Sequence, residues 1–502
     1  CWTMQHPEWR HYEGAAWYSR SFHADLPRNG DRVLLRVGAA NERARVFLNG
    51  AFLGLHVGGS TPFFADLTAH LRPGANNLMI EVDNTRRTDA VPMQHFDWFN
   101  HGGIHRDVEL VTVPAVCINR LFLQLVERGI AVDVGLSLQV DGIATLDFAG
   151  LGQFEINIVG GAGTVLLDLS PELWSPDNPR LYDVAAQFGT DRVADRIGFR
   201  RIERQGTSLS LNGRPLALRG LCVHEDDRDT GRVTCESDIR RRFAHLRELG
   251  ANVARLSHYP HHELVAKIAD EEGMLLWEEI PVYWAISFDN PHTFDNARNQ
   301  LCELIRRDAN RASVILWGVG NENADTEARL AFMTGLTKVA RAEDASRLIA
   351  AACLINRQTF RIEDRLAEHL DVIGLNEYFG WYEPGFEGLQ RLLANSNSDR
   401  PVVISETGAD AAPGLHGPET QLFTEERQAL VLTRQVQIAA TAPYVVGVFA
   451  WLLYDFRSER RQTRYQRGWN RKGVIAEDKA THKLGFHALA DAFAQHFNGP
   501  KG

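Results

Sequence analysis

Two glutamates close apolar runs in this chain. The first run reads Ser313-Val314-Ile315-Leu316-Trp317-Gly318-Val319-Gly320-Asn321-Glu322, and the second reads Val402-Val403-Ile404-Ser405-Glu406-Thr407-Gly408. A facing carboxyl pair can cleave a glycosidic bond, one group protonating the leaving oxygen while the other attacks the anomeric carbon or activates water. A separation of about 5–5.5 Å allows direct attack with retained configuration, and about 6.5–9.5 Å leaves room for water and inverts it. The acid must stay protonated near neutral pH and its partner must be ionised, so their environments must differ. A glutamate at a strand end is also an ordinary solvated or salt-bridged residue, so the chemistry depends on a scaffold that brings Glu322 and Glu406 together.

Such a scaffold is legible after Gly206, where apolar runs alternate with amphipathic helical stretches, the mark of parallel βα units. The runs are Leu216 to Leu218, Asn252 to Leu256, Met274 to Glu278, Val314 to Trp317, Leu348 to Ala352, Val372 to Leu375, Val402 to Ser405 and Val445 to Trp451. Between the first two, Ile239, Phe243, Leu246 and Leu249 recur at helical spacing before a capping Gly250. Eight units over residues 205–502 predict a (β/α)₈ barrel, whose catalytic groups sit at the C-terminal ends of strands. Before it, residues 1–115 carry short β-runs, with Asn49-Gly50 set to close a two-residue hairpin. Residues 116–204 repeat the theme with turn glycines Gly160, Gly161 and Gly163, at a length suited to an immunoglobulin-like β-sandwich.

The 502 residues are 44% apolar and 24% charged, typical of folded multidomain chains and far from disordered compositions. A formal charge of −10 argues against nucleic-acid binding. The richest apolar stretch, Tyr444 to Leu453, is too short to cross a bilayer, so no membrane is expected. Cys1, Cys117, Cys222, Cys235, Cys302 and Cys353 form no CxxC pair and read as thiols of a reducing, cytoplasmic compartment. The first residue is Cys1 rather than Met, which keeps secretion open. His258, His261, His262 and Glu263 crowd together, but Ala266 breaks any HExxH pattern, so no metal is expected.

Asp308-Ala309-Asn310-Arg311-Ala312-Ser313, running into Trp317-Gly318 and Asn321-Glu322, resembles the acid/base signature of glycoside hydrolase family 2. Asn252-Val253-Ala254-Arg255-Leu256-Ser257-His258-Tyr259-Pro260, with Asp270 and Gly273-Met274-Leu275-Leu276-Trp277, is similar to the second family signature, departing from it at Ala254 and Leu256. Gly103-Ile104-His105-Arg106 and the Trp174-Ser175-Pro176 segment extend the likeness over nearly the whole chain. The resemblance implies a jelly-roll-like β-sandwich, an immunoglobulin-like β-sandwich and a catalytic TIM barrel, in that order. It also implies a retaining mechanism with Glu322 as acid/base, Glu406 as nucleophile, Asn321 on the sugar 2-hydroxyl and no cofactor. Against the family pattern the chain starts about sixty residues late, which implies either a partial first sandwich, whose edge strands would be left unpaired, or a shortened one.

Within that family, Asn470-Arg471-Lys472 resembles the carboxylate clamp of the β-glucuronidases. In an extended segment residues i and i+2 face the same side, so Asn470 and Lys472 could hold one anionic group. A neutral sugar would then leave a buried ammonium unpaired, and sites of that kind reject the wrong ligand about 10⁴-fold. The same likeness places Asp97 on the sugar hydroxyls, His224, Asn376, Tyr378 and Tyr382 along the site, and Trp451 under the ring. Glu377, Thr407 and Gln466 depart from the pattern, which leaves a β-galacturonide open as substrate. The stretch from Glu279 to Asn296 is short, implying an open mouth. The expectation is an exo-acting retaining β-glucuronidase acting on a small-molecule or oligosaccharide glycoside, with homo-oligomers left open. The alternatives are a β-galacturonidase, a neutral-sugar β-galactosidase or β-mannosidase, and a non-catalytic carbohydrate-binding protein.

Overall fold

The structure, a computed structural model, describes residues 1–28 and 30–497. It divides into two compact units, one of residues 1–85, 101–201 and 307–312, the other of residues 86–100, 202–306 and 313–502.

In the first unit, alternating sequences build antiparallel sheets. Arg32–Val37 buries every second residue, as a half-covered strand must. One sheet orders Ala15–Ala24, Gly74–Asp83, Arg43–Leu48 and Ala51–Val57, and a smaller one orders Phe63–Asp66, Arg32–Val37 and Val108–Val113. Leu35, Val37, Val46, Leu48, Ile80 and Val82 belong to the buried core of these strands. The Asn49-Gly50 hairpin joins Arg43–Leu48 to Ala51–Val57 with both turn residues at positive φ, 51° and 86°. A second pair of sheets follows, with a core that includes Val132, Leu146, Phe148, Ile156 and Val184. Gly160 and Gly161 turn the chain with positive φ, but Gly163 lies inside the strand Ala162–Leu167. A Cβ there would meet the Asn157 carbonyl oxygen at 2.6 Å, so Gly163 answers a close backbone approach rather than a turn.

The second unit contains a closed parallel barrel of eight strands. They are β1 (Leu218–Val223), β2 (Val253–Leu256), β3 (Leu275–Glu279), β4 (Val314–Asn321), β5 (Leu348–Cys353), β6 (Val372–Asn376), β7 (Val402–Thr407) and β8 (Val445–Ala450). Nearly every strand residue is buried, because side chains face either the barrel interior or the surrounding helices. β8 pairs with β1, Gly447 opposite Leu218, and closes the barrel.

The first apolar run was expected at Leu216 to Leu218, but β1 begins at Leu218. Leu216 still belongs to a preceding hairpin, its N–H donating to the Leu209 carbonyl at 2.8 Å. Ile239, Phe243 and Leu246 are buried on the helix Glu236–Glu248, and Gly250 takes φ 73° just beyond its end. The segment 86–100, with Asp97, belongs to this unit. Among the described residues no helix is long and apolar enough to cross a membrane.

Candidate active site

β4 ends at Asn321, and the next residue, Glu322, takes φ 54°, a left-handed conformation that side chains other than glycine adopt rarely. Its N–H donates to the Ala352 carbonyl at 2.9 Å, which fixes the turn. Trp284, after β3, also has positive φ, 53°, and donates its indole N–H to Glu322 Oε2 at 2.7 Å. The two turns are tied together: the Asn321 N–H donates to the Val282 carbonyl and the Trp284 N–H to the Asn321 carbonyl, both at 2.9 Å.

Glu406 sits near the end of β7 and is buried. Its Oε1 accepts from Arg255 Nη1 at 2.9 Å and its Oε2 from the Tyr378 hydroxyl at 2.7 Å. Arg255, on β2, is shared with a second carboxylate: its Nε donates to Glu279 at 3.0 Å, and its Nη2 donates to Asn321 Oδ1 at 2.8 Å. Burial, together with the like charge of Glu322, pushes the Glu406 carboxyl up to about 8, while Arg255 and the Tyr378 hydroxyl pull it down. Glu279 goes the other way. Burial opposes its ionisation, but Arg255 and His258 hold it below the ordinary carboxylate range.

Glu322 and Glu406 line one cavity of about 270 Å³, together with Asp97, Asn376, Tyr378, Tyr382, Trp451 and Lys472. Trp451 is buried beside His258, the rings stacked with centroids 5.0 Å apart. Asn376 is locked by the Ser405 hydroxyl, which donates to its Oδ1 at 2.7 Å, and itself donates to Asn321 Oδ1 at 3.2 Å. Asn321, His224 and Asn470 are not among the residues that line the cavity. Asn321 instead joins Arg255 to Asn376, and His224 is stacked on Phe456 at 4.0 Å with Nδ1 3.1 Å from the Tyr259 hydroxyl.

The extended segment expected to set Asn470 beside Lys472 is broken for a local reason. Only Trp469–Asn470 is extended, and the chain turns at Arg471 and Lys472. Asn470 Oδ1 accepts the Lys472 backbone N–H at 3.2 Å, so it shapes that turn. Lys472 does reach the cavity, but its ammonium is already paired: Nζ donates to Asp410 Oδ2 at 2.6 Å and to the Tyr382 hydroxyl at 2.9 Å. Burial disfavours the lysine's charge, yet Asp410 more than offsets it and raises the lysine above its ordinary value. A neutral sugar would therefore not strand an unpaired ammonium, and the argument for rejection by about 10⁴-fold does not hold.

Arg255, Trp284, Tyr283, Arg357, Asp410 and Arg461 were not singled out from sequence as site residues, although all but Arg255 and Asp410 line the cavity. Arg255 lies inside the second family signature, and an arginine on a barrel strand is a legible signal of buried carboxylates. The stretch after Glu279, read only for its shortness, supplies Tyr283 and Trp284. Among the described residues no cluster of three or more His, Cys, Asp or Glu is arranged to hold a metal ion.

A closed parallel barrel with two carboxyl groups in a cavity at its strand ends has the form of a glycosidase. Family comparison makes the class definite: the TIM barrel domain of glycosyl hydrolases family 2 matches residues 202–488, the sugar binding domain of that family matches residues 1–114, and a further family 2 domain matches residues 150–200. The chain belongs to glycosyl hydrolase family 2. It is 29% identical to a β-glucuronidase of Paenibacillus borealis, over 94% of this chain and 86% of the relative. It is 28% identical to the β-glucuronidase of Chlorocebus aethiops, over 95% and 82% of the two chains. Among solved structures it resembles a family 2 β-galacturonidase from Eisenbergiella tayi, with TM-score 0.89, 28% identity and coverage of 99% and 91%. It also resembles a β-D-glucuronidase of Dictyoglomus thermophilum, with TM-score 0.86, 27% identity and coverage of 98% and 92%.

Proposed function

We infer that this glycosidase is a retaining, exo-acting β-glucuronidase, in which Glu406 is the nucleophile and Glu322 the acid/base. The supporting observation is that both carboxyl groups and the Lys472 ammonium line one small cavity. Its 270 Å³ lies just below the usual range for ligand pockets, about 300–1,000 Å³, and suits one terminal sugar better than a threaded chain. Arg255 and the Tyr378 hydroxyl stabilise the ionised form of Glu406, whereas Glu322 accepts the Trp284 indole N–H. Arg255 and the Tyr378 hydroxyl thus favour the charge that a nucleophile needs at Glu406, against burial and the like charge of Glu322.

In the first step the Glu406 carboxylate attacks the anomeric carbon, the glycosidic C–O bond breaks, and the Glu322 proton passes to the leaving oxygen. Forming the ester removes the charge on Glu406, so Glu322 is then free to take a proton from the incoming water. Water attacks the same carbon, releases the sugar with its configuration retained, and restores both groups.

A β-galacturonide is the second reading, left open because Glu377, buried just after β6 with Arg357 3.2 Å away, departs from the β-glucuronidase pattern. The β-galacturonidase of Eisenbergiella tayi, a near structural neighbour, supports it as well. A comparison of aryl β-glucuronide, β-galacturonide and β-galactoside hydrolysis tests the reading, with the first-formed anomer followed by NMR. Uronide hydrolysis releasing the β-anomer is expected, and Glu406→Gln should abolish it. Preference for the galactoside, or unchanged turnover in Glu406→Gln, would overturn the assignment.

A further inference from the structure

We propose that Arg461 is the second cation of the uronate site, acting with Lys472, and that the Tyr382 hydroxyl marks the place a substrate carboxylate oxygen takes. The proposal rests on the uronidase reading above and names the groups that carry its specificity.

The geometry converges on one oxygen. Lys472 Nζ donates to the Tyr382 hydroxyl at 2.9 Å, and Arg461 Nη1 donates to the same oxygen at 3.2 Å. Lys472, Arg461 and Tyr382 all line the cavity. Tyr382 is 57% exposed and Lys472 1% exposed, so the tyrosine rather than the lysine has room to move aside.

Each cation is held by a carboxylate that occupies only part of its donor set. Lys472 gives one N–H to Asp410, which is itself fixed by the Gln466 side-chain amide at 3.0 Å and the Arg471 backbone N–H at 3.0 Å. Arg461 presents its Nε and Nη2 edge to Asp97, with Nε 3.0 Å from Oδ2. A guanidinium is a planar fork, so using that edge on Asp97 aims the Nη1 group away from it, toward Tyr382. Asp97 is buried and also accepts from the Ser458 hydroxyl. These partners keep the cations in place when the cavity is empty. A sugar carboxylate arriving at the Tyr382 oxygen position would receive two charge-assisted hydrogen bonds from donors already oriented.

Arg461 is thereby added to the clamp expected from Asn470 and Lys472, in which the Asn470 Oδ1 is engaged on the Lys472 backbone N–H. This arrangement also changes the role expected for Asp97. A carboxylate engaged on Arg461 through both oxygens acts chiefly as the residue that positions Arg461.

The test compares aryl β-glucuronide with aryl β-glucoside, which differ only in the carboxylate. Removing Arg461 alone would strand the buried Asp97 charge, so the principal variant combines Arg461→Gln with Asp97→Asn. A second variant, Arg461→Lys, keeps a cation for Asp97 but loses the fork. Binding of free glucuronate and glucose, read by calorimetry on the same proteins, removes dependence on turnover. The uronide-to-glucoside ratio of kcat/KM should fall about 10- to 100-fold in the double variant and less in Arg461→Lys, with glucuronate binding weakened in parallel. A purely structural role would lower both substrates alike and leave the ratio unmoved, and that result would overturn the proposal. Lys472→Met separates the two claims. If it destroys uronide selectivity while both Arg461 variants keep it, the uronidase reading stands and this inference falls. If the unaltered enzyme shows no preference for uronides, the reading itself fails first.

Discussion

Replacing Tyr378 by Phe tests which carboxylate must be ionised, because it deletes one donor from Glu406 and leaves the ring in place. In the wild type the Tyr378 hydroxyl lies 2.7 Å from Glu406 Oε2 and lowers the carboxyl's affinity for a proton, opposing burial and the Glu322 charge. A hydrogen bond to a charged group contributes about 1.5–3 kcal/mol, and about 1.4 kcal/mol corresponds to one pH unit. Without it, deprotonation of Glu406 moves upward by about one to two pH units. If Glu406 is the nucleophile, kcat/KM climbs as pH rises through its deprotonation, and the variant's ascending limb shifts to higher pH by that amount. Below the limb the variant should be about 10- to 100-fold slower, and the deficit should narrow at higher pH. The assay is the pH profile of kcat/KM on an aryl glycoside with a good leaving group, which makes little demand on acid assistance. A uniform loss with an unmoved limb would show that Tyr378 does not tune Glu406, and would refute the reasoning.

Trp284→Phe removes the indole N–H that meets Glu322 at 2.7 Å. It should slow hydrolysis of a poor alkyl leaving group about 10-fold or more while sparing an activated aryl one, and equal losses on both would detach Trp284 from proton transfer. Glu377 supplies a stability test. Burial pushes its carboxyl up to about 8, with Arg357 opposing. Between its ordinary value and about 8, the unfolded chain has lost a proton that the folded chain keeps, so this group makes folding less favourable as pH rises, by at most about 1.4 kcal/mol per pH unit. Glu377→Gln should therefore gain stability relative to the wild type from pH 5 to 8 in denaturant unfolding, and a difference independent of pH would contradict the burial argument.

The barrel was legible because its strands are buried on both faces and therefore read as uninterrupted apolar runs. The one misplaced run shows the limit of that signal: Leu216, Ala217 and Leu218 are all apolar, but the Leu209 carbonyl claims the Leu216 N–H for a hairpin. Glu322 and Glu406 were legible because a polar residue ending such a run has few places to go. Their supports were not. Trp284 meets Glu322 where both residues take positive φ, and nothing in the residue types after Glu279 announces that turn.

The charge partners were hidden for a different reason, and they change the expected specificity. From sequence, Lys472 is a cation awaiting an anion. In the fold, Asp410 precedes it by 62 positions and still lies 2.6 Å away. A buried ion costs several kcal/mol unless it is paired, so a cation kept ready in an empty cavity will usually carry a resident counter-ion. Arg461 with Asp97 repeats the arrangement on the same wall. With both cations compensated, a uronate gains oriented hydrogen bonds rather than an uncancelled field, and a neutral sugar forfeits those bonds without stranding a charge. Discrimination should accordingly be tens- to hundreds-fold, the worth of about two charge-assisted hydrogen bonds after competition with water, and well short of about 10⁴-fold. A measured preference at the larger figure would mean that Asp410 or Asp97 swings away when substrate binds.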